Sequence, residues 1–159
     1  MHARMHRARD PFLLTFRARA LQMAAQMPSQ THLNTALLAA AGVGDGTELS
    51  HLLAAGANIN AVGDAGNTAL HEAVQNGHTG VTKQLCAARA NVEATNTDGA
   101  TPLHIACRKG FASCVRALLA AGANAEDMNV DGSRPLHIAC RKDHVACAQA
   151  LLAAGADVE

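Results

Sequence analysis

The chain repeats itself at a fixed period. Asn67-Thr68-Ala69-Leu70-His71-Glu72-Ala73 returns as Ala100-Thr101-Pro102-Leu103-His104-Ile105-Ala106 and again as Ser133-Arg134-Pro135-Leu136-His137-Ile138-Ala139, each copy 33 residues after the last. A second landmark agrees with that step: Leu52-Leu53-Ala54-Ala55-Gly56-Ala57 recurs two steps on at Leu118 and one further step on at Leu151. Self-similarity at a fixed step of a few tens of residues marks an array whose unit is one small supersecondary motif. Working back from Gly56 places a weaker first copy on Thr35-Ala36-Leu37-Leu38-Ala39-Ala40, which keeps Thr, Leu and Ala but lacks Pro and His. Four repeats result, at about 30–62, 63–95, 96–128 and 129–159, and residues 1–29 stand apart from them.

Each unit reads as two short helices and a turn. Thr101 is placed to cap a helix whose first residue is Pro102, where a missing N–H costs nothing, and Gly110 ends it. A second helix is predicted from Ala112 to Ala121, burying Val115, Leu118 and Leu119 at spacings of three and four, with Gly122 as a left-handed terminus. The polar stretches around Gly99 and Asn124 supply the turn chemistry of a hairpin-like finger. Aromatic residues make up only 2% of the chain, with 49% apolar overall, so the core is built from small side chains. A helix pair of this size cannot bury its apolar stripe alone; neighbouring copies have to stack.

The Thr-Pro-Leu-His-x-Ala pattern, the Leu-Leu-x-x-Gly-Ala landmark and the period together resemble the ankyrin repeat family. The resemblance implies an all-α solenoid of stacked helix-turn-helix units with hairpin-like fingers, binding another protein or peptide on a concave face of fingertips and first helices. On this chain that face comprises Asp64, Ala65 and Asn67, then Thr97, Asp98 and Ala100, then Val130, Asp131 and Ser133. The first helices add Glu72, Gln75, Asn76, Ile105, Arg108, Lys109, Ile138, Arg141 and Lys142. Repeat two departs from the pattern. Thr82 replaces an apolar residue, Cys86 replaces a Leu, and Arg89 stands where a helix-ending Gly is expected, so this repeat should be locally the less stable.

Two His-Ile-Ala-Cys segments, 104–107 and 137–140, raise the thought of a Cys2His2 metal site. Packed helices lie about 8–10 Å apart, whereas zinc holds its ligands about 2.0–2.3 Å away, so equivalent side chains in successive repeats do not converge. The expectation is no metal and no cofactor: the His tethers backbone or Thr hydroxyls and the Cys fills the core. The same distance argument stands against disulfides between equivalent cysteines. Paired carboxylates, a phosphate loop or a nucleophile elbow are absent from the sequence, which points away from an enzyme.

Charge sorts the partners. The chain balances 13 Lys and Arg against 13 Asp and Glu, but from residue 30 onward 8 basic residues face 12 acidic ones, the wrong sign for a phosphate binder. Nucleic acid and membrane are therefore not expected partners. Arg108-Lys109 and Arg141-Lys142 should sit side by side as a basic ridge. It either complements the helix ends or attracts an acidic partner segment. Five cysteines, an odd number without a secretory signal, fit the reducing cytoplasm or nucleus. Residues 1–29 carry five Arg against one acid, a composition similar to an organelle transit peptide although poor in Ser; disorder or a capping helix are the alternatives. Glu159 falls where Glu93 and Glu126 sit in earlier copies. Repeat four is therefore expected to fray, to associate with a neighbour, or to belong to a longer array with a spacer role.

Overall fold

A computed structural model of the chain describes residue 19 and residues 28–157. The rest of the Arg-rich leader, and Glu159, lie outside the described residues. Over residues 28–157 eight helices follow one another: α1 Gln30–Val43, α2 Gly46–Ala54, α3 Ala69–Gln75, α4 Thr79–Ala87, α5 Pro102–Lys109, α6 Ala112–Ala120, α7 Pro135–Arg141 and α8 Val145–Ala153. Each repeat contributes one pair. First helices α1, α3, α5 and α7 pack on one another in order, and second helices α2, α4, α6 and α8 form the other layer. The expected all-α solenoid is what the chain folds into, and its only strand-like pairing among the described residues is one bridge between Val62 and Thr68.

The local signals act as the sequence predicts in repeat three. Thr101 is extended at φ −79°, Pro102 opens α5, and Gly110 closes it at φ 80°. No side chain other than Gly fits comfortably there, since a Cβ would stand 2.7 Å from the His144 ring of the next repeat. In α6, Cys114, Val115 and Leu118 are buried, while Leu119, predicted on the buried face, is only half-buried; the stripe is turned toward Cys114. Repeat one differs more. Ser29 caps α1 through an Oγ that accepts from His32 N–H at 3.2 Å, so this helix runs for 14 residues where a short one was expected. Without the Pro of later copies, Thr35 sits inside the helix and donates to the Thr31 carbonyl at 2.9 Å.

Stacking provides the core. Leu37, Leu70, Leu103 and the other large side chains buried between layers form one continuous cluster from repeat one to repeat four. Polar staples cross each joint at a fixed step: the N–H groups of Asn91, Asn124 and Asp157 donate to Asn60 Oδ1 (2.8 Å), Glu93 Oε1 (2.9 Å) and Glu126 Oε1 (2.9 Å). Burial, aided by the neighbouring Asp127 carboxyl, holds the Glu93 carboxyl above its ordinary range. Repeat four has no described helix on its outer side. Cys140, Val145 and Leu152 are exposed there, which corrects the expectation that Cys140, like its buried counterpart Cys107, fills the core.

Candidate functional site

The histidines come first because they fix the fingers. Thr101 N–H donates to His104 Nδ1 at 3.2 Å, which leaves the ring proton on Nε2, and that atom bonds the carbonyls of Asp127 (3.0 Å) and Ser133 (3.2 Å) in the next finger. His71 repeats the arrangement, with Thr68 N–H on Nδ1 at 3.2 Å and the Ala100 carbonyl on Nε2 at 3.0 Å. Burial holds both imidazoles below the ordinary 6.5 and outweighs the carbonyls that favour protonation. The expected tether is therefore present at both residues, and with both ring nitrogens engaged neither is free to bind a metal. His137 is the exception. Its Nδ1 meets Arg134 N–H at 3.4 Å, but the ring is exposed, with no described finger beyond it.

The buried thiols are structural in the same sense. All five cysteines are free, and burial pushes the Cys86, Cys107 and Cys147 thiols up, Cys107 far above its ordinary range. A thiol so placed is held protonated and is a poor nucleophile.

Each finger folds on itself before it meets its neighbour. Asn96 Oδ1 accepts from Asp98 N–H and Ala100 N–H, both at 3.0 Å, and Asn129 Oδ1 does the same for Asp131 (3.1 Å) and Ser133 (2.9 Å). These Asx turns push the side chains between them outward. Adjacent fingers are then joined by Thr97 N–H to the Ala65 carbonyl at 3.1 Å.

The predicted binding residues divide sharply by exposure. Asp64, Ala65, Asn76, Thr97, Asp98, Arg108, Lys109, Val130, Asp131, Arg141 and Lys142 are exposed, and Glu72, Gln75 and Ser133 are half-buried. Ile105 and Ile138, at 0% and 3% exposure, are core residues and cannot touch a partner: the third position after Pro102 and Pro135 faces the adjacent helices. Ala100 (2%) and Asn67 (8%) are also withdrawn. Asn67 donates to Glu72 Oε1 at 3.0 Å and accepts from Asn96 Nδ2 at 3.1 Å, so it locks finger to helix.

Arg108, Lys109, Arg141 and Lys142 occupy the ends of α5 and α7, which pack side by side, so the basic ridge exists as a surface. None of the four cations, nor Asp64, Asp98 or Asp131, pairs with a described residue of opposite charge within 4.0 Å. Two features escaped the sequence reading. Val43, 73% exposed, takes the place in repeat one that Asn76, Lys109 and Lys142 take later, and stepping back 33 residues from Asn76 would have found it. Arg134, which replaces the capping Thr, pairs with Glu126 at 3.1 Å. Beside α1, Thr31, Asn34, Thr35, Leu38 and the first finger enclose an open hollow of about 640 Å³.

No described helix is long and apolar enough to cross a membrane, and among the described residues no group of three or more metal-ligating side chains converges. No curated protein matches the chain. The family model for ankyrin repeats (3 copies) matches twice, over residues 18–96 and 81–159. Ankyrin repeats are generally non-enzymatic modules for protein–protein interaction. With four stacked helix pairs, His-fixed fingers and a family match over most of its length, the chain belongs to the ankyrin repeat family.

Proposed function

We propose that this chain is a non-catalytic binding module that holds a protein or peptide segment on the concave face formed by its fingertips and first helices, in the cytoplasm or nucleus. One observation carries the reading: four exposed cations, none within 4.0 Å of a described acidic side chain, stand on adjacent first helices of two repeats whose fingertips are also exposed. Charges left unpaired on a rigid surface steer and orient an oppositely charged partner, so acidic groups of the partner meet the ridge. A preorganised stack loses little entropy on binding, and modest contacts suffice. Neither nucleic acid nor a membrane is the partner in this reading, because the repeats carry a net negative charge and Phe111 is their only aromatic. Self-association has its own support in the exposed Cys140, Val145 and Leu152 side of repeat four.

The alternative is a spacer within a longer array, and exposed Ala65, with no functional group at a fingertip, favours it. Affinity capture with wild type and with Arg108→Glu/Lys109→Glu/Arg141→Glu/Lys142→Glu separates the two. Selective loss of a captured partner from the variant supports recognition; identical captures from both leave the spacer.

A further inference from the structure

The stack imposes a repeat distance on anything that lies along it. Adjacent first helices are about 8–10 Å apart, and the ridge presents one cation pair per helix, Arg108-Lys109 then Arg141-Lys142. A ligand that uses both pairs has to place equivalent charges at that spacing. An extended β-strand returns to the same face every two residues, after about 6.6–6.8 Å, which falls short. A polyproline II segment has three residues per turn and rises about 3.1 Å per residue, so it returns after about 9 Å.

An α-helix also returns near this distance after seven residues, about 10.5 Å. A helix docks in a groove through an apolar stripe, however, and needs apolar side chains beneath it. On this face the ends of α3, α5 and α7 offer Gln75, Asn76 and the four cations, and the large exposed apolar side chains, Val43 at the end of α1 in repeat one and Val130 on the last finger, stand repeats apart and make no stripe.

The fingers constrain the other side of the ligand. Asp98 and Asp131 stand exposed on the fingers of the same two repeats and repel carboxylates placed between the ridge-facing positions. We infer that the partner segment lies along the face in polyproline II conformation, with acidic side chains three residues apart over repeats three and four and no acid between them. This rests on the proposed reading of the face as a protein-binding surface. The pattern extends in one direction: an amide or hydroxyl side chain three residues earlier meets Gln75 and Asn76, and an apolar one six residues earlier meets Val43.

The test uses the full chain and fluorescein-labelled, Pro-rich dodecapeptides read by anisotropy, each made in forward and reversed order. One set carries two Glu three residues apart, a second carries them two apart, a third carries several Glu in succession, and an Ala-rich helical peptide carries them seven apart. The expected result is that the three-residue spacing binds at least about threefold tighter than the other sets in one of its two orders, the scale of a pair of exposed ion contacts. Arg141→Glu, at an exposed position, should remove that preference while the melting curve stays that of the wild type. Equal or tighter binding of any other spacing overturns the inference, as does binding by none of the peptides. If all sets bind alike and all are lost in the fourfold charge reversal, the spacing fails and the basic face stands. If neither the peptides nor the captured proteins respond to the reversal, the proposed function fails with it.

Discussion

Repeats two and three bury the same leucines, Leu85 and Leu118, and carry the same Thr-His tether, yet they end their second helices on different residues. Gly122 takes φ 90° in repeat three, and Arg89 is held at φ 63° in repeat two. The closing hydrogen bond survives in both: Ala123 N–H reaches the Leu118 carbonyl, and Ala90 N–H the Leu85 carbonyl, each at 3.0 Å. The closing turn therefore keeps its backbone in both repeats, and a residue that suits it poorly is forced to follow at a cost of about 1–2 kcal/mol. Thr82 makes the same point in the core. Fully buried where repeat three has Val115, it satisfies its hydroxyl by donating to the His78 carbonyl at 3.0 Å within its own helix.

The largest change that sharpens this comparison is to cut the shared leucines. Leu85→Ala and Leu118→Ala should each lower unfolding free energy by about 2–5 kcal/mol in urea titrations. A cost at Leu118 several times that at Leu85 would mean that repeat two is loosely packed as well as strained at its helix end.

Next in size is His104→Ala, which strips partners from Thr101 and from two carbonyls of the next finger and should cost about 1–3 kcal/mol. It also has a pH signature. Both buried imidazoles titrate below the ordinary 6.5, so the unfolded chain takes up protons first as the pH falls. Their contribution to stability is complete above that value and is lost as the pH drops toward the lower folded value. Urea midpoints at about pH 7.5 and about pH 5.5 should differ for the wild type and differ less for the variant.

Exchanging the helix-ending residues tests the strain itself. Arg89→Gly should stabilise by about 1 kcal/mol and Gly122→Arg destabilise by a similar amount. In the unaltered protein, amide exchange should run faster over 82–92 than over 115–125, and the opposite order would refute a weaker repeat two. The smallest effect is expected of Thr82→Val, a gain of less than about 1 kcal/mol, because the lost hydroxyl bond only duplicates one that the helix backbone already makes.

The fold was legible because its signals are local and repeated. Thr101, Pro102 and Gly110 mark a helix whether or not its neighbours are known, and the period supplies the stacking. What could not be read is what depends on the direction of a side chain across the stack. Ile105 and Ile138 lie on a first helix of the expected face, but whether such a residue looks outward or into the next helix follows from packing, and packing buries them. Asn67 falls by position among the expected contact residues, whereas its bonds to Glu72 and Asn96 turn it inward. The long α1 was missed because the first copy lacks the Pro that starts the later helices, and the Ser29 cap lies before the repeated pattern begins.

The tethers run in opposing directions. His71 and His104 reach forward to carbonyls of the following finger, while His78 reaches back from repeat two to the Gly42 carbonyl at 3.0 Å and His144 from repeat four to that of Arg108 at 3.3 Å. The joint between repeats three and four is consequently pinned at two separated points, one near the fingers and one at the helix ends, and two pins resist hinging where a single one would serve as a pivot. A ligand that spans this joint meets a stiff ruler, and must itself supply whatever bending the complex requires.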